Sequence, residues 1–263
     1  MRFFDTHAHY WDSRFVTESE ESAESLIGSL LSDSVSGIVN IGTNLRTSRL
    51  ALTQATLFPG VYVAAGLHPE DVLGSDDPEK EITEIRDLIK NNPMKIVAIG
   101  EIGLDYHYSP LDKDLQKRVF IRQMELAEAL SLPVVIHDRE AHGDTFGIIS
   151  AFPKVKGVLH SYSGSGEMAR QLAKMGYMIS FSGTVSFKNA RSVKEAAAAT
   201  PDDNLLLETD CPYLAPHPFR GQLNHSGLLI HTARALAEIR NCPVEDIAAL
   251  TERNARHFFR LPE

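Results

Sequence analysis

Eight short runs of almost unbroken apolar residues recur along the chain, at residues 2–6, 37–41, 61–65, 96–100, 133–136, 157–159, 177–181 and 204–207. Sequences such as IVAIG and PVVIH leave no polar side for a wet sheet surface, so they suit parallel strands covered on both faces. Parallel strands need long crossovers, and the stretches between the runs read as helices. In residues 112–130, for example, Leu115, Val119, Ile121, Leu126 and Leu130 fall mostly on one face, with Asp114, Lys117 and Glu128 on the other. Eight such units close into an α/β TIM (β/α)8 barrel, and 263 residues fit that architecture as one domain, 1–263. Residues 226–259 supply two further helices, split by Asn241-Cys242-Pro243, that are expected to cover the barrel exterior, with Pro243 in a first turn.

A hydrophobic fraction of 43% supplies a core of this size, yet no apolar run approaches the ~18 residues of a membrane span. Cys211 and Cys242 are too few for a disulfide framework, and the opening MRFFDTHAHYW has no apolar signal region. A reducing cytoplasm is therefore the expected location, with no membrane contact and no stable protein partner implied. The acidic cluster at residues 18–24 reads as a solvated helix start, where carboxylates favour the positive end of the dipole. A net charge of −9 argues against tight nonspecific binding of a polyanion. It leaves a nuclease open, because bound cations and a few local Arg or Lys reverse the field inside a site.

Chemistry concentrates where the apolar runs end. His7 and His9 stand two apart, so in a strand both side chains meet one ion at the barrel mouth. Glu101 directly follows IVAIG; a buried acid there must be neutralised, and it is the candidate bridging ligand between two cations, the bland alternative being a buried salt bridge. Asp105 orients a ligand from behind or caps a turn. His137 and His160 each end a run and complete a second set, and Asp210 in LETDCP is placed to bind an ion and take a proton from its activated water. Glu208 reads as structural. Imidazole and carboxylate ligands of this kind suit Zn²⁺ or Mn²⁺, with Mg²⁺ able to enter an exposed site, and two ions are expected. Arg139, two residues past His137, either grips a substrate phosphate or forms a structural ion pair. The glycines of SGSG are permissive turn residues whose amides offer a weaker anion contact. Cys211 reads as packing, since the nearby histidines are committed to metal.

Taken in order, HAH, GLHP, GEIGLDYH, IHDREA, HSYSG, ETDCPYL and PFRG span nearly the whole chain, which resembles the TatD family of metal-dependent hydrolases. The resemblance implies a metallo-dependent hydrolase TIM barrel of the amidohydrolase superfamily, a centre of one to three metals, and deoxyribonuclease activity. Carried across by position, it implies His7, His9, Glu101, His137, His160 and Asp210 as metal residues, with Asp210 the general base. His68 in GLHP matches an additional active-site histidine, placed beside the scissile phosphate rather than among the ligands. Arg220 in PFRG matches a substrate contact. One departure stands out: where the family usually reads RGKRNEP, this chain has RGQLNHS at residues 220–226. Gln222 and Leu223 cannot pair with a phosphate as Lys and Arg can, so the outer substrate contact is altered.

The leading expectation is phosphodiester hydrolysis by a metal-activated water, as an exonuclease on ends of single-stranded DNA. Glu101, Asp210 and His68 are the catalytic candidates, Arg139 and Arg220 hold DNA, and Trp11, Tyr106 and Tyr213 are candidates for stacking on bases. The alternative keeps the metal centre but cleaves a carbon ester or amide, such as the aminoacyl ester on tRNA. A catalytically silent metal-binding scaffold is the third reading. Physiological metal, cleavage polarity and oligomeric state are not encoded in any motif.

Overall fold

The computed structural model describes residues 1–108 and 111–262. Its eight strands are β1 Phe3–Ala8, β2 Val35–Ile41, β3 Val61–Ala65, β4 Ile96–Asp105, β5 Val134–Arg139, β6 Gly157–Leu159, β7 Met178–Phe181 and β8 Leu205–Leu207. They pair in parallel and in sequence order. The circuit closes between β8 and β1, where Ala8 bridges Cys211, His9 N–H donates to Cys211 O at 2.8 Å and Asp210 N–H donates to His7 O at 2.9 Å. The fold is therefore a TIM barrel with helices on its outer face. Among the described residues no helix is long and apolar enough to cross a membrane.

Two packed layers hold it together. Inside, every strand contributes at least one buried side chain, Phe4, Val39 with Ile41, Ala64, Ala98, Val135, Val158, Met178 and Leu206, joined by Phe259 after the final helix. A larger cluster lies between strands and helices, and includes Ile38, Ile99, Ile102 and Leu236. The helices Leu229–Arg240 and Val244–Phe258 divide at Asn241-Cys242-Pro243 as expected, with Pro243 just before the second helix rather than inside its first turn. The helix Ala23–Asp33 is capped by Ser22, whose hydroxyl accepts from Ser25 N–H, and carries Glu24 in its first turn.

Two expectations are corrected. β4 and β5 run well past their apolar segments, pairing Gly103 with His137, Leu104 with Asp138 and Asp105 with Arg139. Glu101, Asp105, His137 and Arg139 are thus strand residues: side chains become polar at the mouth while the backbone ladder continues. The helix Lys113–Leu130 buries Gln116, Val119, Phe120, Gln123, Met124 and Ala127, leaving Ile121, Leu126 and Leu130 half-buried. The reason is hydrogen bonding that apolar periodicity does not register. The Gln116 carboxamide accepts from Asp105 N–H and donates to Asp105 O, both at 3.0 Å. The Gln123 carboxamide does the same with Leu67, at 2.8 and 2.9 Å. One helix thereby fastens the backbone beside two site residues, Asp105 and His68.

Gln123→Leu leaves both Leu67 backbone groups unpaired in the core, and is expected to cost about 2 kcal/mol or more. Urea unfolding checks this; an unchanged midpoint would show that the pairing contributes nothing.

Candidate metal centre

Parity along the strands brings the site together. In β5, β6 and β8, stepping by two from the interior residues Val135, Val158 and Leu206 leads to His137, His160 and Glu208, and the turn after β8 carries Asp210 to the same mouth, its N–H donating to His7 O. In β1 and β4 the same step does not reach His7 and Glu101. Both strands carry a register irregularity there, between Asp5 and Ala8 and between Ile99 and Ile102, and that slip turns the two side chains to the mouth.

Glu101, almost fully buried, sits at the centre. Its Oε2 lies 3.3 Å from His7 Nε2 and 3.7 Å from His9 Nε2. Its Oε1 lies 2.8 Å from His160 Nε2, 3.0 Å from His137 Nδ1 and 3.5 Å from His68 Nε2. Asp210 Oδ1 adds contacts of 3.3 Å to His9 Nε2 and 3.6 Å to His7 Nε2. Three overlapping groups result, His7/His9/Glu101, His7/His160/Asp210 and His68/Glu101/His137, each with donor atoms within 4.8 Å of one another. The two oxygens of one carboxylate face two different sets, which is the geometry a bridging ligand needs.

The outward nitrogens test whether a cation fits. His9 Nδ1 faces Ile41 O at 2.9 Å, and a carbonyl only accepts, so the proton is on Nδ1 and the Nε2 lone pair points inward. His137 Nε2 faces Asp105 Oδ2 at 2.8 Å, which leaves the Nδ1 lone pair on Glu101. His160 Nδ1 faces Glu208 Oε1 at 3.3 Å, which leaves Nε2 on Glu101. His7 and His9 even bring Nε2 atoms within 3.1 Å of each other. Lone pairs and carboxylate oxygens converging this closely repel unless a positive charge lies among them, so the donor set fits divalent cations. His68 differs. Its Nδ1 accepts from Glu70 N–H at 3.1 Å, so the neutral ring carries its proton on Nε2, facing the cluster as a donor.

The titration shifts express the same crowding in the metal-free protein. Burial alone would raise the Glu101 carboxyl, yet His160, His7, His68 and His137 hold it well below the usual range. Burial opposes charge on His137, but Asp105 and Glu101 lift it to about 9, and Glu101 with Glu208 raises His160 despite the same penalty. His7, without a comparable partner on its other side, is pushed down by burial and by His160. Asp210 is depressed against its burial by His9, His7 and His160.

Sequence reasoning assigned Asp5 no role, and it proves central. Fully buried, it accepts from His7 N–H at 3.2 Å, Thr209 N–H at 3.0 Å, Thr209 Oγ1 at 2.6 Å and Ser226 Oγ at 2.7 Å, so it ties the strand of His7 to the turn of Asp210. Glu208 is more than structural: it accepts from Ser161 N–H at 2.6 Å beside its contact with His160. The available signal was its position directly after the apolar run of β8, two residues before Asp210. Asp105 both holds His137 and accepts from His107 N–H at 2.8 Å, uniting the two expected roles. Cys211 is buried packing, as read.

The expected substrate contacts lie at the rim. Arg139 donates to Tyr108 Oη at 2.9 Å and stacks 4.7 Å over that ring. Arg220 is exposed, 4.5 Å over Phe187. Tyr213 is 45% exposed beside His9, whereas Trp11 is tied by Nε1 to Ile41 O and Tyr106 by its hydroxyl to Asp144. In the departing segment Leu223 packs against the core, and Asn224 donates to Thr209 O and Tyr213 O at 2.9 and 2.6 Å. Asn224 thereby ties this segment to the Asp210 turn.

Residues 4–260 match the sequence profile of a family described as TatD related DNase. The chain belongs to the TatD-related DNase family. YabD of Bacillus subtilis, described as an uncharacterized metal-dependent hydrolase, is 39% identical over 98% of this chain and 99% of its own length. YcfH of Escherichia coli K12, described in the same terms, is 35% identical over 82% and 85%. The crystal structure of YjjV, a TatD homologue from Escherichia coli, superposes with a TM-score of 0.89 at 28% identity, covering 99% of both chains. This TatD-family protein is accordingly a metal-dependent hydrolase with a buried His/Glu/Asp centre.

Asp105→Ala removes the acceptor that fixes the His137 ring, and metal affinity is expected to fall about 10- to 100-fold. Competition with a chromogenic chelator measures it; wild-type affinity would mean His137 needs no such support.

Proposed function

We propose that this protein is a deoxyribonuclease that trims ends of single-stranded DNA, with His7, His9, Glu101, His137, His160 and Asp210 holding two divalent ions. The observation that carries the reading is Glu101, whose two oxygens face separate sets of imidazoles. A phosphodiester needs its attacking and leaving oxygens served together, and a paired site under one bridging carboxylate is suited to that. The family's description supplies the choice of DNA.

When bound, the ions lower the pKa of a water and offset charge on the phosphoryl oxygens. The chain's residues do the rest. Asp210, partly open to the mouth and 3.3 Å from His9, accepts the proton of the attacking water. His68 presents an Nε2 proton to a phosphoryl oxygen, consistent with a place outside the ligand set. Arg139 projects from the same strand face as His137 and pairs with a flanking phosphate. Asp5 and Asp105 hold ligands in position from behind. Burial of Glu101 and the imidazoles excludes bulk water and strengthens each of these contacts.

Purified protein incubated with end-labelled single-stranded DNA and Mn²⁺ or Mg²⁺ should shorten it stepwise, and chelator should stop the reaction. Asp210→Asn should lower kcat at least ~100-fold. A folded, metal-loaded protein that leaves DNA intact but releases the acyl group of an aminoacyl ester would replace this reading with the ester one. A second measurement concerns the rim: Arg139→Ala should raise KM for DNA roughly tenfold with a smaller effect on kcat, and an unchanged KM removes Arg139 from substrate binding.

A further inference from the structure

Charge is distributed unevenly in this acidic chain. Residues 168–194 contain no Asp or Glu but carry Arg170, Lys174, Lys188, Arg191 and Lys194, and residues 211–237 contain none either, although the whole chain has 35. The two stretches include the loops that follow β7 and β8, and the fold lays those loops together at the C-terminal end of the barrel. His217 N–H donates to Ser186 Oγ at 2.8 Å, and the Arg220 guanidinium rests 4.5 Å over the Phe187 ring. A Cβ on Gly183 would come within 2.0 Å of Leu214 O, so the loops meet backbone to backbone at a place only glycine permits. The β8 loop is also anchored to the site, since Tyr213 N–H donates to Asp210 O at 2.9 Å and Asn224 donates to Thr209 O at 2.9 Å. Lys188, next to Phe187, is exposed, as is Arg220. Arg191 is engaged by Glu195 at 2.8 Å.

From this juxtaposition we propose that the rim built by the β7 and β8 loops is the path along which a single-stranded polyanion runs away from the metal cluster. Lys188 and Arg220 contact its backbone phosphates, and Phe187 offers a surface for a base. This inference rests on the nuclease reading and deepens it: the substrate is a strand several nucleotides long, held beyond the scissile bond, rather than a mononucleotide ester. Gln222 and Leu223 carry no charge, so positive charge facing the strand comes from Lys188 on the β7 loop and Arg220 on the β8 loop. The two stretches bring Lys188 and Arg220 and no carboxylate of their own, the acid that reaches them being Asp12 of the β1 loop at the Tyr213 hydroxyl, so within an acidic molecule the part of the rim around Phe187 is the one suited to a polyanion.

The test compares a single strand of about twenty nucleotides with a dinucleotide as substrates for the metal-loaded enzyme, across a range of salt. Lys188→Ala and Arg220→Ala should each lower kcat/KM for the long strand relative to the dinucleotide by roughly tenfold. Each should also flatten the dependence of log KM on log salt by about 0.7, the loss expected for one phosphate contact on a single strand. Lys188→Glu should be worse than Lys188→Ala, and Lys154→Ala, at the opposite end of the barrel, should match wild type. If the wild-type enzyme cleaves DNA while both rim variants keep its length preference and salt slope, the rim assignment falls and the nuclease reading stands. If the wild-type enzyme cleaves neither substrate, the nuclease reading falls and takes the rim assignment with it.

Discussion

A carboxylate at the centre of a barrel is what the rest of this structure serves. Taking an ion such as Glu101 out of water costs several kcal/mol even after relaxation, and only positive charge offsets it, supplied by the five imidazoles within 4 Å when they are protonated or by the cations that their lone pairs would hold. Imidazoles do this well only when their orientation is fixed. Hence the outer ring of acceptors, with Ile41 O behind His9, Asp105 behind His137 and Glu208 behind His160. Those acceptors are themselves held: Gln116 brackets the Asp105 backbone, and Ser161 N–H anchors Glu208. The helix Lys113–Leu130 packs two glutamines against the barrel where apolar residues would fill the space more simply, because the site needs the backbone there immobile.

Barrel closure and site assembly are one event. The seam between β8 and β1 carries His7 and His9 on one side and Asp210 on the other, and Asp5 crosses it with bonds to His7 N–H, Thr209 and Ser226. Burial raises the Asp5 carboxyl to about 6 even though Thr209 and Ser226 counter it. Asp210 itself has φ 59°, a left-handed conformation that non-glycine residues adopt only where the surroundings demand it. The bridge of Ala8 to Cys211 and the Asp5 bonds supply that demand. Ser226 donates to Asp5 and shares a hydrogen bond with Tyr10 Oη, so the loop after β8 is bound into the seam.

The strands were legible because parallel strands buried on both faces must be apolar throughout, and the ligands were legible because each breaks an apolar run at its end. His137 and His160 needed only strand parity, whereas Asp210 stands at the end of its run in a left-handed turn past β8. What lay hidden depends on tertiary context. No local pattern distinguishes a buried glutamine that clamps a backbone from a surface glutamine, so Gln116 and Gln123 drew no assignment while Ile121 was placed on the core face. Asp5 and Glu208 look like any acid until their four and two contacts are assembled by closure of the barrel. The register slips in β1 and β4 were equally silent, since the hydrophobic pattern reports which side chains are buried and not where a ladder skips a residue.

Charge balance connects the buried centre to its surface. Glu101, Asp105, Glu208 and Asp210 all touch imidazoles of the cluster, four carboxylates for the four positive charges that two divalent ions would bring. A centre of that composition is neutral with its histidines uncharged, so it need not repel an incoming phosphate despite an overall charge of −9. The remaining repulsion is a matter of where the surface acids lie. They are missing from 168–194 and from 211–237, the stretches whose loops follow β7 and β8 and border Asp210. A polyanion approaching over that edge would meet the exposed side chains of Arg220 and Lys188, and neither stretch adds a carboxylate beside them. An acidic protein can therefore present a site to nucleic acid without the global basicity that tight, indiscriminate binding requires, and one that must release its product after each cut gains from the difference.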